Sequence, residues 1–525
     1  MHGLMFGGWV DSSVGGIFAG RSHVSSKRAA GAHTIASHLR REGWDIEVID
    51  FFPAWTIEEL KELMGLRVRK DTKFIGISVS IPPETVSIYH GAEFVRWVKK
   101  TYPDIVVLAG SQHLMTTHHL PADYHLAGYG ERSLTELLKH IEGKPSNVVI
   151  EKVTLTPDII DDVEKTLNFV NCDTSNPAYP MEDPATIYEA RDFIEPHEVL
   201  SIEVNRGCKF KCKFCSFNLI GMRQDTSRCY HGLHDELKRN YESWGVTDYT
   251  NVDETSNANP SSMEGSAEVI RKLGFEINMQ GFIRADLLAA RPQDWEHIAD
   301  MGLWGHFYGI ESFNYESAKS VGKGMRPEKV KEGLLAAQEY FKKRCKYYRA
   351  TSSFIIGLPH ETEETFDDGI KWIFDNMEAP NAVLFPLFIQ HELVGSKLKN
   401  KYSELDYTFK DSPLIQEATL QDLRPNYDDI GNDIMWQHML QTGSTLWKHD
   451  TMNIYEAWKI MAKYANDPAF HQNQRPSIWH FHRFKQAGLQ MKDMMRPISD
   501  FEDINYCIDA DEDFTKKYIL KKLCL

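Results

Sequence analysis

Residues 206–217 read RGCKFKCKFCSF and place Cys208, Cys212 and Cys215 in a C-x3-C-x2-C spacing. Three thiolates in so short a loop can surround one metal centre. Structural zinc normally takes four Cys or His ligands, usually as two separated pairs, and only Cys229 stands nearby as a candidate for the fourth. Three cysteines on a four-iron cluster would instead leave one iron open to a small molecule. Three unrelated structural cysteines are the third alternative.

The composition indicates a globular protein of several domains. The chain has 525 residues, which at about 150 residues per domain predicts roughly three domains. A hydrophobic share of 42% argues against wholesale disorder, and a net charge of −16 argues against broad binding to nucleic acid. Eight cysteines are too sparse for a secreted disulfide framework. No apolar run reaches the roughly 18 residues of a membrane span, so we expect a cytoplasmic protein without one.

Upstream of the cysteines, short apolar runs alternate with amphipathic helical patterns. This alternation predicts an α/β domain built on a doubly wound parallel sheet. In such sheets ligands bind beyond the carboxyl ends of the strands, where this chain places GGWVDSSVGG, SVSIPPE, LAGSQH and LAGYGE. The predicted strands are Leu4–Trp9, Ile46–Phe51, Phe74–Ser80 and Ile105–Ala109.

A second alternating region surrounds the cysteine cluster and predicts an incomplete α/β barrel. Chemistry would lie at the carboxyl ends of its strands, as in complete barrels. Its six predicted strands are Leu200–Val204, Asp248–Val252, Glu276–Ile283, Trp304–Ile310, Tyr348–Ile356 and Ala382–Phe388. We therefore expect a doubly wound domain at residues 1–146, a linker rich in Pro and acidic residues at 147–198, a partial (β/α)6 barrel at 199–395 and a mainly helical region at 396–525.

The cysteine spacing, with Phe214 before the last cysteine, resembles the signature of the radical S-adenosylmethionine (SAM) superfamily. The resemblance covers roughly residues 200–388. It implies that Cys208, Cys212 and Cys215 bind a [4Fe-4S] cluster whose open iron chelates SAM. It further implies that an electron from the cluster cleaves SAM to a 5′-deoxyadenosyl radical.

Segments at later strand ends match the same family in the expected order. The resemblance assigns Asp253 and Glu254 to the amino group of SAM, and Arg284 to its carboxylate, which a guanidinium can bind bidentately. It assigns Glu311 to the ribose hydroxyls, and the turn at Gly357 to the adenine. Each has a simpler alternative: the acids are solvated loop carboxylates, and the arginine pairs with a neighbouring acid.

His360 stands where many relatives have a small residue. It either crowds a turn or reaches into the site as a proton-transfer group.

A doubly wound domain before such a barrel resembles the cobalamin-binding branch of the superfamily. That branch often carries Asp-x-His-x-x-Gly in its first loop, with the His on cobalt. Here Asp11 and Gly16 match, but Ser13 stands at the His position, so the resemblance predicts no histidine ligand from this loop. Ser78, Ser80, Gly110, Ser111, Gly128 and Gly130 are the residues expected to line the nucleotide tail.

Two alternatives remain for the first domain. It could keep the fold without the cofactor, as a docking or substrate-covering module. A nicotinamide or flavin domain is disfavoured because G-x-G-x-x-G does not follow the first strand.

The function implied by the resemblance is cobalamin-dependent methyl transfer to an unactivated carbon. One SAM would methylate cob(I)alamin, a second would yield the radical that takes a substrate hydrogen, and methylcobalamin would deliver the methyl group. Cyclisation or rearrangement is the alternative within the branch, and a non-catalytic iron–sulfur module is the alternative outside it. A methylthiotransferase fits poorly, because the first domain lacks a second cysteine set. The expected partners are a small-molecule or peptide substrate and an electron donor such as flavodoxin or ferredoxin.

Overall fold

The fold is taken from a computed structural model. It describes residues 1–8, 26–79, 85–111, 117–155, 165–172, 185–215, 226–387, 389, 415–423, 446–476, 478–480, 484–485, 487–489 and 504–524.

Within these residues the amino-terminal part forms a seven-stranded sheet. Its lateral order is β2-β1-β3-β4-β5-β7-β6, and every pairing is parallel except that of β6 with β7. Its first four strands agree with the sequence prediction. The strands are β1 (His2–Phe6), β2 (Asp45–Ile49), β3 (Thr72–Ser78), β4 (Val106–Ser111), β5 (Tyr124–Gly128), β6 (Glu151–Leu155) and β7 (Lys165–Cys172).

Helices cover both faces of this sheet and bury two apolar clusters, one on each side. A capping box fixes the start of the second helix, where the Thr56 side chain accepts from the Glu59 amide and the Glu59 carboxylate accepts from the Thr56 amide. The helices are α1 (Ala30–Arg41), α2 (Ile57–Arg67), α3 (Thr85–Thr101) and α4 (Glu131–Ile141).

The segment expected to be a linker, residues 147–198, contributes β6 and β7 to the first sheet. The exposed and buried positions of β7 largely alternate, as they do in a strand covered on one face only. Neither strand forms a continuous apolar run, so the sequence pattern does not indicate them.

The second sheet confirms the six predicted barrel strands. In the described part of the chain it runs β15-β14-β13-β12-β11-β8, and all neighbours are parallel. Most positions of these strands are buried, as in a parallel sheet that is covered on both faces. The strands are β8 (Val199–Ile202), β11 (Asp248–Asn251), β12 (Asn278–Arg284), β13 (Leu303–Glu311), β14 (Arg349–Ile356) and β15 (Ala382–Pro386), and a short antiparallel pair, β9 (Asn205–Arg206) and β10 (Thr226–Ser227), follows β8.

Helices connect the barrel strands and pack their apolar faces on the sheet. They are α5 (Tyr230–Trp244), α6 (Pro260–Ile270), α7 (Ala285–Ala290), α8 (Trp295–Asp300), α9 (Tyr315–Ser320), α10 (Pro327–Arg344) and α11 (Glu363–Asn376).

The carboxyl-terminal region is helical in most of its described residues. A helix is present at Ile454–Ala465, in agreement with the mainly helical region that the sequence predicts here. Among the described helices, none has the length and apolar composition to cross a membrane. The elements are β16 (Gln416–Glu417), β17 (Trp447–Lys448), α12 (Ile454–Ala465), α13 (Pro468–Asn473) and α14 (Ile504–Cys524).

The last helix, α14, returns to the amino-terminal domain. The Asp50 amide donates to the Tyr518 hydroxyl at 3.0 Å. The buried Lys522 ammonium donates to Glu47 Oε1 at 2.9 Å and to the Val48 carbonyl at 3.0 Å. The two ends of the chain therefore share one core.

We expect Lys522→Ala to lower the free energy of unfolding by about 2–3 kcal/mol, because it leaves a buried carboxylate without one of its partners. Urea unfolding followed by circular dichroism measures the loss. Lys516→Ala on the same helix is the control, since Lys516 is exposed and forms a surface ion pair with Glu512 at 3.8 Å. Equal effects of the two substitutions would contradict the docking of α14.

Candidate active site

The cysteine loop follows β8 and β9 at the carboxyl edge of the barrel sheet. Cys208, Cys212 and Cys215 are free thiols; Cys212 is buried and the other two are half-buried. The loop is tied to the barrel where the Lys213 amide donates to the Val321 carbonyl at 3.1 Å. The half-buried Phe214 packs against the barrel core.

Arg284, the last residue of β12, lies directly against this loop. Its Nη1 donates to Cys212 Sγ at 3.0 Å, and its guanidinium lies 4.1 Å from the ring centre of Phe210. It also donates twice to Asp286, at 3.0 and 2.6 Å, which is the simpler pairing considered above. Burial raises the pKa of Cys212, and Arg284 opposes that rise by stabilising the thiolate.

The donor set of the loop fits an iron–sulfur cluster. The three thiols carry no disulfide and share one short segment beside a cation that favours thiolates. Among the described residues, no group of three or more His, Cys, Asp or Glu side chains is gathered closely enough to hold a metal ion as it stands. Cys229, considered above as a fourth ligand, is exposed and immediately precedes α5.

The two acids that follow β11 have different surroundings. Asp253 is buried and accepts bonds from the amides of Val204 and Asn205 at 2.7 and 2.9 Å, and from two Asn side chains. Burial raises the pKa of Asp253 to about 7. Its oxygens thus hold the chain that leads into the cysteine loop.

Glu254 is half-buried and borders a cavity. Its Oε1 accepts from the Tyr129 hydroxyl and its Oε2 from the Gly207 amide, both at 2.9 Å. Burial, with a contribution from Glu203, raises the pKa of Glu254 to about 8. Of the two acids, only Glu254 lines this cavity.

Glu311 ends β13 with a backbone φ of 68°. A non-glycine residue in this region is uncommon and persists only where its surroundings fix it. Lys323 does so, because its ammonium donates to Glu311 Oε1 at 2.7 Å and to the Gly309 carbonyl at 2.6 Å. The Glu311 side chain is therefore held at the strand end.

The turn after β14 requires glycine at position 357. Its φ is +95°, and a Cβ there would clash with the Trp447 ring. His449 Nε2 lies 3.1 Å from the Gly357 carbonyl oxygen, and its ring stacks on Trp447. The exposed His360 also has a positive φ, of 67°. Trp447 and His449 are contacts that the sequence analysis did not assign to this turn.

We expect Gly357→Ala to lower the free energy of unfolding by about 2–4 kcal/mol, because it adds an overpacked methyl group to a strained backbone. Urea unfolding followed by circular dichroism measures the loss. Gly274→Ala is the control: its φ is +77° but a Cβ there meets nothing within 4 Å. Gly274→Ala therefore measures the cost of the backbone strain alone. An equal loss of unfolding free energy in both variants would argue against a clash with Trp447.

Glu361 is a buried acid that the sequence analysis missed. Its Oε1 accepts from the Ser312 hydroxyl at 2.6 Å, and burial raises the pKa of Glu361 to about 8. It thereby joins the turn after β14 to the residue next to Glu311. Only its position in GLPHET, just after a strand, could have pointed to it.

A cavity of about 300 Å³ lies between the two sheets. Its floor is apolar and is lined by Met5, Phe74 and Leu108, while Glu203 and Glu254 approach from the barrel. The strand ends that border it leave open space, since a Cβ on Gly110 would meet nothing within 4 Å. Five residues predicted to contact a nucleotide tail line the cavity: Ser78, Gly110, Ser111, Gly128 and Gly130. Asp11, Ser13, Gly16 and Ser80 lie outside the described residues.

Arg206 connects the two domains beside this cavity. It donates to Glu131 at the start of α4 at 2.8 Å and to Glu203 at 2.8 and 2.6 Å. Its guanidinium lies 4.1 Å from the ring centre of Tyr129. The contacts with Glu131 and Tyr129 join residues distant in the chain, so no sequence pattern indicated them.

Comparison with known proteins defines the class of this site. Residues 202–373 match the family model of the radical SAM superfamily. This part of the chain is a radical SAM domain, and the resemblance inferred from the cysteine spacing is confirmed. The chain is 22% identical over 420 residues to an uncharacterized methyltransferase of Pyrococcus horikoshii, covering 75% of this chain and 85% of that protein.

A second relative is a tRNA-2-methylthio-N(6)-dimethylallyladenosine synthase of Finegoldia magna. It is 26% identical over 170 residues, which cover 32% of this chain and 36% of that protein.

The whole chain has the fold of solved cobalamin-containing radical SAM enzymes, which confirms the predicted fold class. The methyltransferase TsrM from Kitasatospora setae, solved with cobalamin and a [4Fe-4S] cluster, aligns with a TM-score of 0.63 at 13% identity over 98% of this chain and 99% of that one. The cobalamin-dependent SAM radical enzyme OxsB, solved with aqua-cobalamin and SAM, aligns with a TM-score of 0.58 at 13% identity, over 98% of this chain and 72% of that one.

Proposed function

We propose that this protein is a cobalamin-dependent radical SAM methyltransferase that acts on an unactivated carbon. The observation that carries the proposal is the cavity between the two sheets, which borders both the glycine-rich strand ends of the first domain and Glu254 beside the cysteine loop. A ligand in this cavity would contact the strand ends of the first domain on one side and Glu254, beside the cysteine loop, on the other. The fold shared with TsrM and OxsB and the methyltransferase relative support the same conclusion.

In this proposal Cys208, Cys212 and Cys215 hold the cluster. When bound, the cluster and cobalamin supply the electron that cleaves SAM and the methyl group that is transferred. The protein contributes binding, orientation and exclusion of water.

For SAM, we assign Glu254 and Asp253 to the ammonium side, Arg284 to the carboxylate, Glu311 to the ribose and the Gly357 turn to the adenine. Glu254 is the stronger candidate of the first two, because Asp253 is already bonded by four protein donors. Arg284 would have to share its guanidinium between Asp286 and the ligand.

For cobalamin, we assign the small residues that line the cavity to the nucleotide tail. The cavity is at the lower end of the size range of ligand pockets and combines an apolar floor with polar side chains at its border, which suits the tail rather than the whole cofactor. The alternative is a first domain that keeps the fold and binds no corrin.

The partners proposed are a small-molecule or peptide substrate and an electron donor such as flavodoxin or ferredoxin, in the cytoplasm. The donor is required because cleavage of SAM consumes an electron. The net charge of −16 disfavours a polynucleotide substrate.

The products formed from SAM test the proposal. The anaerobically reconstituted protein is incubated with SAM, a reductant and hydroxocobalamin, and the nucleoside products are separated by liquid chromatography and mass spectrometry. We expect 5′-deoxyadenosine together with S-adenosylhomocysteine, the latter only when cobalamin is present. 5′-Deoxyadenosine alone would favour cyclisation or rearrangement. If neither product forms, the result would favour a non-catalytic iron–sulfur module.

A further inference from the structure

We propose that Tyr129 is a positioning residue that couples occupancy of the interdomain cavity to SAM binding at the cysteine loop. This inference rests on the proposed function, because it takes the nucleotide tail of cobalamin as the occupant of the cavity. It adds that the two cofactors bind cooperatively, and it names the contact that transmits the effect.

The first connection runs from the cavity wall to the cysteine loop. Tyr129 directly follows β5 and lines the cavity. Its hydroxyl donates to Glu254 Oε1 at 2.9 Å, while Glu254 Oε2 accepts from the Gly207 amide at 2.9 Å. Gly207 has a φ of 97° and immediately precedes Cys208. A single carboxylate thus joins a first-domain side chain to the backbone beside the first cysteine.

The second connection runs in parallel through Arg206. Its guanidinium lies over the Tyr129 ring and binds Glu131 of α4, which also lines the cavity. Arg206 is itself the residue before Gly207. The loop is therefore tied to the first domain directly at Arg206 and, through Glu254, at Gly207, and Glu131, Tyr129 and Glu254 all border the same cavity.

Filling the cavity would strengthen both connections. Exclusion of water from the Tyr129 hydroxyl and from the Arg206–Glu131 pair lowers the local dielectric constant, in which hydrogen bonds to charged groups are stronger. A loop restrained at Arg206 and Gly207 loses less freedom when SAM binds at the neighbouring cysteines. By thermodynamic reciprocity, SAM must then also tighten binding of the cavity ligand.

The test is the dissociation constant of SAM for the cluster-reconstituted full chain, measured by equilibrium dialysis with and without saturating hydroxocobalamin. We expect cobalamin to tighten SAM binding of the wild-type protein by about fivefold or more. In Tyr129→Phe, which removes only the hydroxyl, the factor by which cobalamin tightens SAM binding should fall towards one, while the iron content remains unchanged.

Tyr124→Phe is the matched control, because Tyr124 lies at the opposite end of β5 and should keep the wild-type factor. Glu131→Gln is a second test variant, and it should reduce the factor through Arg206. The coupling would be overturned if bound cobalamin left the dissociation constant of SAM for the wild type unchanged. It would also be overturned if cobalamin tightened SAM binding in Tyr129→Phe as much as in the wild type. Either result would leave the proposed function intact. Failure of the wild type to retain cobalamin would overturn the proposed function, and the coupling with it.

Discussion

Cys212→Ala should yield a protein that cannot be reconstituted with a stable cluster and that no longer cleaves SAM. Cys212 is the buried thiol of the three and accepts a hydrogen bond from Arg284, so its loss removes a ligand from the most enclosed position of the loop. Loss of a residue that merely supports a metal ligand costs about 10- to 100-fold, so loss of the ligand itself should reduce SAM cleavage by more than about 100-fold.

The experiment measures iron and sulfide per chain and the rate of 5′-deoxyadenosine formation after anaerobic reconstitution. Cys229→Ala is the control, since that exposed cysteine stands outside the C-x3-C-x2-C spacing and should keep both the iron and the activity. A Cys212→Ala protein with full iron and undiminished cleavage would contradict the assignment of the loop. Loss of metal in the Cys229→Ala protein would instead support a site in which Cys229 is the fourth metal ligand.

Gly110→Leu should abolish retention of cobalamin and leave the cluster in place. Gly110 lies in β4 at the border of the cavity, and the space where its side chain would begin is open. A branched apolar side chain there fills volume that the nucleotide tail would need. Overpacking of about 1–3 kcal/mol corresponds to roughly 5- to 150-fold weaker binding.

The readout is the corrin absorbance that remains after desalting, measured beside the cluster absorbance of the same sample. Gly65→Leu is the matched control: Gly65 is exposed on α2, a Cβ there also meets nothing within 4 Å, and it is remote from the cavity lining. Cobalamin retained equally by both variants would place the tail elsewhere. Loss of the cluster in Gly110→Leu would show that the substitution damages the fold rather than the cavity.

The elements that could be predicted from the sequence are those with a local signature. The six barrel strands are mostly buried, several of them contain short apolar runs between helical patterns, and the cysteine spacing lies within eight residues. Strand ends could be assigned to one edge because parallel strands share a direction. For this reason Glu254, Arg284, Glu311 and the Gly357 turn could be expected at the same edge.

The remaining features depend on contacts between distant residues. β6 and β7 pair with each other at one side of the first sheet, where partial exposure removes the continuous apolar signal. Docking of α14 joins Lys522 to Glu47, and the link between the domains joins Tyr129 to Glu254. No sequence periodicity in α14, or in the residues that follow β5, specifies which distant residue it contacts. The role of Asp253 likewise became visible only when the amides that surround it were placed.

The central claim is that one chain binds an iron–sulfur cluster and cobalamin together. The most direct measurement is an absorption spectrum of the protein after anaerobic reconstitution with iron, sulfide and hydroxocobalamin, followed by desalting. We predict that the broad cluster absorbance and the sharp corrin bands both remain with the protein. A spectrum that keeps the cluster and loses the corrin would contradict cobalamin binding by the first domain, and loss of both would contradict the whole account.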